Sequence, residues 1–507
     1  MPVKDGAGVT TARRASRHVG PRNRAGLLSI RRRTTPASLR HARPGSSRPV
    51  LRRVRPGRPR RAVRNGLVAM AAVLGLVFTV LAVKAPFGDD SGPVAGRGGD
   101  LGAASEPRDD DAVAGARSAD PGGPVRVTST GAMRIGVERL FGQHTLLTNR
   151  LARSRIRGDA DLAQAADAAL GRNAEAISTL IEPLYGAASA RRFTSLWTSG
   201  VAAVFAYASG AADGDPAAMA TARARLVQNT ADLSGFLSGV TKGGVSKEPL
   251  EARLRQHSED LLTQVDAYAR GDYDTAYQVE RDGYAHMVPV GKALAAALAT
   301  RDDSLRADAH SLPRQLHSRL GMLLAEHAQL AVDTMRSRLA GWKELPAAAA
   351  VLDANSADLA AEIELVLEPR AAAQFAPLWA DHIDALSAYT SAVADGDATG
   401  KSAAIGRMRA AAAAISRFFT SWTGGRVGGQ SLVRALEHHD DILVKQIEAY
   451  HAQDYEGAQK MSLEAYDHMY VLADGLANGI AGTVAARMGR ASARTGASGA
   501  TTEVGRP

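Results

Sequence analysis

The net charge of +10 over 507 residues invites a nucleic-acid reading, but residues 1–65 hold 19 Lys or Arg against a single acid, Asp5. That leaves −8 on the remainder, which excludes a basic DNA-binding groove in the folded part. Cysteine is absent, which excludes disulfides, thiol catalysis and Cys-ligated metal or haem attachment and leaves His, Met and carboxylates as ligands.

Residues 1–65 are Arg, Pro, Ser and Gly with little periodicity, a composition that cannot bury enough apolar surface to offset its ordering entropy. They read as a disordered cytoplasmic arm, either a bare positive-inside signal or an overextended start site, or else a contact for anionic lipid or nucleic acid. Residues 66–84 follow as a transmembrane helix, since Gly66 to Val83 is an unbroken apolar run of 18 residues. Val83-Lys84-Ala85 before Pro86 is a poor cleavage context, so the run reads as a signal-anchor rather than a removed signal peptide. Basic residues before it and Asp89-Asp90 after it set the N-terminus inside and the rest outside the cell membrane. Residues 85–129, rich in Gly, Asp, Pro and Ser, form a flexible acidic linker.

From residue 130 the composition is Ala-rich with 5% aromatics, as in packed helices, and the fold class is all-α. The chain also repeats itself. His257, Gln264, Tyr268, Asp272, Tyr273, Tyr284, His286 and Met287 return 182 positions later as His439, Gln446, Tyr450, Asp454, Tyr455, Tyr466, His468 and Met469. Asn173, Phe193, Trp197, Tyr207 and Phe236 pair in the same register with Asn355, Phe375, Trp379, Tyr389 and Phe418, as core anchors. Breakers at regular intervals predict about six helices per half, with short antiparallel connections. The expectation is two tandem helical bundles, 130–300 and 312–485, with the seam near Thr300 to Leu312 and a frayed tail over 486–507. Asp215, Asp272, Asp397 and Asp454 stand where helix N-caps are wanted, and Pro289 is expected to kink the last helix of the first half.

The histidines carry the chemistry. His144 pairs with His327 in a register shifted by one, so each half has a His on its first, fifth and sixth helix. The second half adds His382 where the first has Gly200. His327, His382, His439 and His468 all have apolar residues at i±3 and i±4 and face the core. Their predicted depth is similar, as one shared site requires, and imidazole suits copper, zinc, iron or haem. A neutral polar layer bonded to Tyr450, Gln446 and Tyr466 gives the same pattern. His310, His317, His438 and His451 read as surface or linker. Met287 and Met469 read as gap-filling core residues. No inward Glu-x-x-His pair, His-Glu-x-x-His, nucleophile elbow or phosphate loop is present.

Leu378-Trp379-Ala380-Asp381-His382, Asn355 with Asp358, Asp454-Tyr455 with Ala458, and His468 make the second half resemble a group of bacterial helical-bundle proteins with no established activity. The order of the segments differs, and Gln453 stands where the group has Gly. Over about 170 residues this resemblance implies the fold and no catalysis. The first functional expectation is therefore a non-enzymatic, membrane-anchored binding or scaffold protein of the cell envelope, with an envelope protein as partner. The second is an envelope protein binding a metal ion or haem through the inward histidines, in storage, sensing or redox.

Overall fold

The computed structural model describes residues 130–299 and 311–499, and these are all-helical. The arm, the proposed anchor, the linker and the seam lie outside the described residues. Among the described residues no helix is long and apolar enough to cross a membrane. Eleven helices are described: α1 Thr130–Arg157, α2 Ala160–Asp213, α3 Pro216–Val240, α4 Lys247–Ala269, α5 Tyr273–Ala299, α6 Leu312–Ala340, α7 Leu345–Val366, α8 Pro369–Asp395, α9 Ala398–Thr423, α10 Gly429–His451 and α11 Tyr455–Gly499.

The expected breaker at Pro183 to Gly186 does not end a helix. Instead, α2 bends there, with Gly186 at φ 80° and ψ 161°, a conformation that costs glycine nothing. Its arms, 160–185 and 187–213, serve as two helices. All four predicted caps form. Asp215 accepts the N–H of Ala217 and Ala218, Asp272 that of Thr275, Asp397 that of Gly400 and Asp454 that of Gly457. Helix α5 runs on through Pro289, and α11 extends to Gly499, past the point where Ser, Gly and Thr suggested fraying.

Sequential helices pack in hairpins, and the last helix of each half returns to the first, α5 on α1 and α11 on α6. Across the halves, α1 meets α6, α5 meets α7 and α11 meets α2. Contacts recur at the repeat spacing. Asn173 donates to the carbonyl of Leu140 and to Gln143, while Asn355 donates to the carbonyl of Leu323 and to Glu326. Tyr284 donates to the carbonyl of Met322 and Tyr466 to that of Arg139, and their two hydroxyls meet at 3.2 Å. A Cβ on Gly142 would come within 2.5 Å of the Tyr284 ring, so only glycine lets α1 pass this close.

Beside the tyrosines lies a buried ion network. Asp333 takes Arg150 and Arg153, each at 2.6 Å, and Arg153 also pairs with Glu280 at 2.8 Å. Burial alone would raise Asp333, but the Arg150, Arg153 and Arg336 guanidiniums hold it down to about 2. Asp333 is the repeat counterpart of Arg150, and Arg336 that of Arg153.

Candidate metal centre

Helices α6, α8 and α10 touch one another in the second half, and each brings one imidazole to their common seam. His327 enters from α6 between Leu324, Leu330 and Ala331, His382 from α8 beside Trp379, Ala385 and Leu386, and His439 from α10 beside Leu436, Ile442 and Leu443. Burying these apolar neighbours turns the histidines inward, since i±3 and i±4 share a helix face. The rings are 0%, 4% and 1% exposed, which closes the site to bulk water. Ring centres are 5.8 Å apart for His327 and His382, 5.9 Å for His382 and His439, and 6.4 Å for His327 and His439. One nitrogen from each lies within 4.8 Å of the others.

The Tyr and Gln partners expected for a polar layer are elsewhere. Tyr466 donates to Arg139, and the Gln446 side chain makes no hydrogen bond among the described residues. Both nitrogens of His327 and of His439, and Nε2 of His382, are likewise without a partner. Leaving a buried polar atom unsatisfied costs about 1–3 kcal/mol, and five such atoms lie together here. Nδ1 of His382 lies 3.3 Å from Oδ1 of the buried Asp440. The two atoms are neighbours without a hydrogen bond, since Asp440 Oδ1 has no partner, and Nε2 of His382 is unpartnered as well.

Burial holds all three rings neutral, the form that binds metal. It lowers His327 well below its usual range, helped by His382. It takes His382 to about 4, and it lowers His439 with help from His382, His468 and His327. Burial also pushes Asp440 up to about 8, aided by Asp441 and Glu437. Trp379 lids the cluster, 4.7 Å from His327 and 5.3 Å from His382.

The fourth predicted histidine stands apart. His468 stacks parallel to His439 at 6.4 Å, but its Nε2 bonds the carbonyl of Ala435 at 2.9 Å and it is only partly buried. His317, expected on the surface, is buried instead, with Nε2 2.9 Å from the Tyr470 carbonyl and Nδ1 3.0 Å from Asp474. His438 and His451 are exposed, as expected, and His310 lies outside the described residues.

The first half holds two-thirds of the same arrangement. His144 and His257 are buried with ring centres 5.8 Å apart, and Trp197 covers His144 at 4.3 Å. Where His382 would project there is Gly200 and a cavity of about 40 Å³, lined also by Asn229, Thr230 and Ser258. The differences come as a set. Ala411 replaces Asn229, which frees room for the His382 ring, and Asp440 replaces Ser258, which places a carboxyl group 3.3 Å from that ring. The sequence shows all three substitutions, but only the fold brings them together. The comparisons add no relative to this picture: no family model, no curated protein and no solved structure matches the chain.

Proposed function

We propose that this is a single-pass membrane protein whose extracytoplasmic part is a tandem repeat of two antiparallel helical bundles, the second of which binds one transition-metal ion through His327, His382 and His439. The observation that carries the reading is the convergence of three neutral, water-excluded imidazoles with unpartnered nitrogens. Imidazole sets of this kind suit copper, zinc and their neighbours. The three rings are at most 4% exposed, and Trp379 lies against His327 and His382, which leaves no room for a porphyrin. The role is binding rather than catalysis, as storage or as sensing through the bundle.

Titration of the chelator-treated full-length chain in detergent tests the site. One ion per chain is expected, with His327→Ala, His382→Ala and His439→Ala each weakening it at least about 100-fold at unchanged helical circular dichroism. If no ion binds tighter than millimolar, or if the variants bind as well as the parent, the metal reading fails and a scaffold remains.

The anchor rests on the sequence alone, 19 basic residues ahead of one 18-residue apolar run. A C-terminal alkaline phosphatase fusion should be active and a C-terminal fluorescent-protein fusion dark. A mature chain starting near Pro86, or a reporter that works only in the cytoplasm, overturns it.

A further inference from the structure

We infer that the ion is copper in its monovalent state, Cu(I), held three-coordinate by the His327, His382 and His439 imidazoles; this rests on the metal reading above.

Ligand number comes first. The triad offers three donor atoms, and among the described residues no fourth His or carboxylate joins the group whose ligand atoms lie within 4.8 Å of one another. His468 spends Nε2 on the Ala435 carbonyl and stacks flat on His439, with 13° between ring planes, so its ring nitrogens lie in a plane parallel to the His439 ring. Asp440 sits on the Nδ1 edge of His382, the side away from the free Nε2. The three rings are at most 4% exposed, so the site does not open to bulk water. Zinc in proteins is almost always four-coordinate, with a water as the fourth ligand when only three side chains bind. Iron, nickel and oxidised copper ask for four to six ligands. Cu(I), a closed-shell d¹⁰ ion, is satisfied by two or three.

Charge points the same way. Three neutral imidazoles bring no compensating charge of their own, and Leu, Ile, Ala and Trp side chains surround them, with the buried Asp440 beside His382. The self-energy of an ion in such surroundings rises with the square of its charge, so a monovalent ion costs about a quarter of what a divalent one does.

Size agrees. Ring centres 5.8–6.4 Å apart lie about 3.5 Å from the middle of their triangle, against roughly 3.2 Å for imidazoles bonded at about 2.0–2.1 Å. The nitrogens, within 4.8 Å of one another, lie up to about 2.8 Å from their centre, so closure needs an inward movement of up to about 0.7 Å per ring.

The test is anaerobic competition on the full-length chain in detergent, with bicinchoninate for Cu(I) under ascorbate and pyridylazoresorcinol for Zn(II). One Cu(I) per chain is expected, bound at least about 1,000-fold more tightly than Zn(II). X-ray absorption should show three nitrogen neighbours. His468→Ala should leave Cu(I) affinity within about threefold, whereas His382→Ala should lose it. Triad-dependent zinc binding as tight as that of Cu(I), or a His468→Ala loss equal to that of His382→Ala, overturns the three-coordinate copper assignment and leaves the metal site standing. Binding of neither ion overturns both.

Discussion

Asp333→Ala is expected to destabilise the chain by about 3–5 kcal/mol, because it strands Arg150 and Arg153 in the interior with Glu280 as their remaining acid. Both guanidinium groups are nearly fully buried, so water cannot replace the lost carboxylate. Replacing the pair together, Arg150→Met with Asp333→Leu, should recover a large part of that loss, since the desolvation penalty leaves with the charges. Urea unfolding of the single and paired variants measures this, and a loss below about 1 kcal/mol for Asp333→Ala would contradict a dry network. The same carboxylate sets an acid limb. Its folded pKa, about 2, lies below the unfolded value near 3.9, so its contribution is fully present above about pH 4 and is lost as the pH falls towards 2. In the Asp333→Ala variant that part of the acid transition should vanish.

The second large effect is a gain. Gly200→His with Asn229→Ala should give the chain a second metal site and raise the bound metal from one ion to two. His144 and His257 already stand 5.8 Å apart, with three of their nitrogens free of hydrogen bonds, and the cavity at Gly200 is where a third ring is missing. The paired change is needed because a Cβ at 200 meets Asn229 Oδ1 at 2.8 Å, and Asn229 is held by its bond to the Leu196 carbonyl. Gly200→His alone should therefore bind poorly, and Ser258→Asp added to the pair should tighten the new site by orienting its ring. Metal analysis after loading and gel filtration reads the stoichiometry. A count that stays at one would show that two more contacts, not one ring, separate the halves.

Much of the fold is legible in the sequence. Helix ends followed from breakers and from four aspartates whose side chains need only local geometry to cap. The inward direction of His327, His382 and His439 followed from apolar neighbours at helical spacing. His468 passed the same test and still lies apart, because periodicity gives a face and not the width of the stripe. At its edge, a backbone carbonyl captured the ring. The buried ion network was missed although its signal was present. Arg150 and Arg153 sit among Leu147, Leu151 and Ala152 on an otherwise buried helix face, and their counterparts are Asp333 and Arg336. Pairing over 183 residues is a tertiary fact, and charge on a helix reads as solvated until the neighbouring helix is known. His317 was missed for the same reason, since Tyr470 and Asp474 come from a helix far along the chain.

The meeting of Tyr284 and Tyr466 has a further consequence. Each tyrosine does to the opposite half what the other does in return, which is the relation between subunits about a two-fold axis. A chain of one repeat could have used this face to pair with its own copy. Elsewhere the relation is no longer mutual, most sharply where Arg150 faces Asp333. Two first halves would set arginine against arginine there, and two second halves aspartate against aspartate, in a setting where like charges are costly. The halves have become unlike partners joined in one chain.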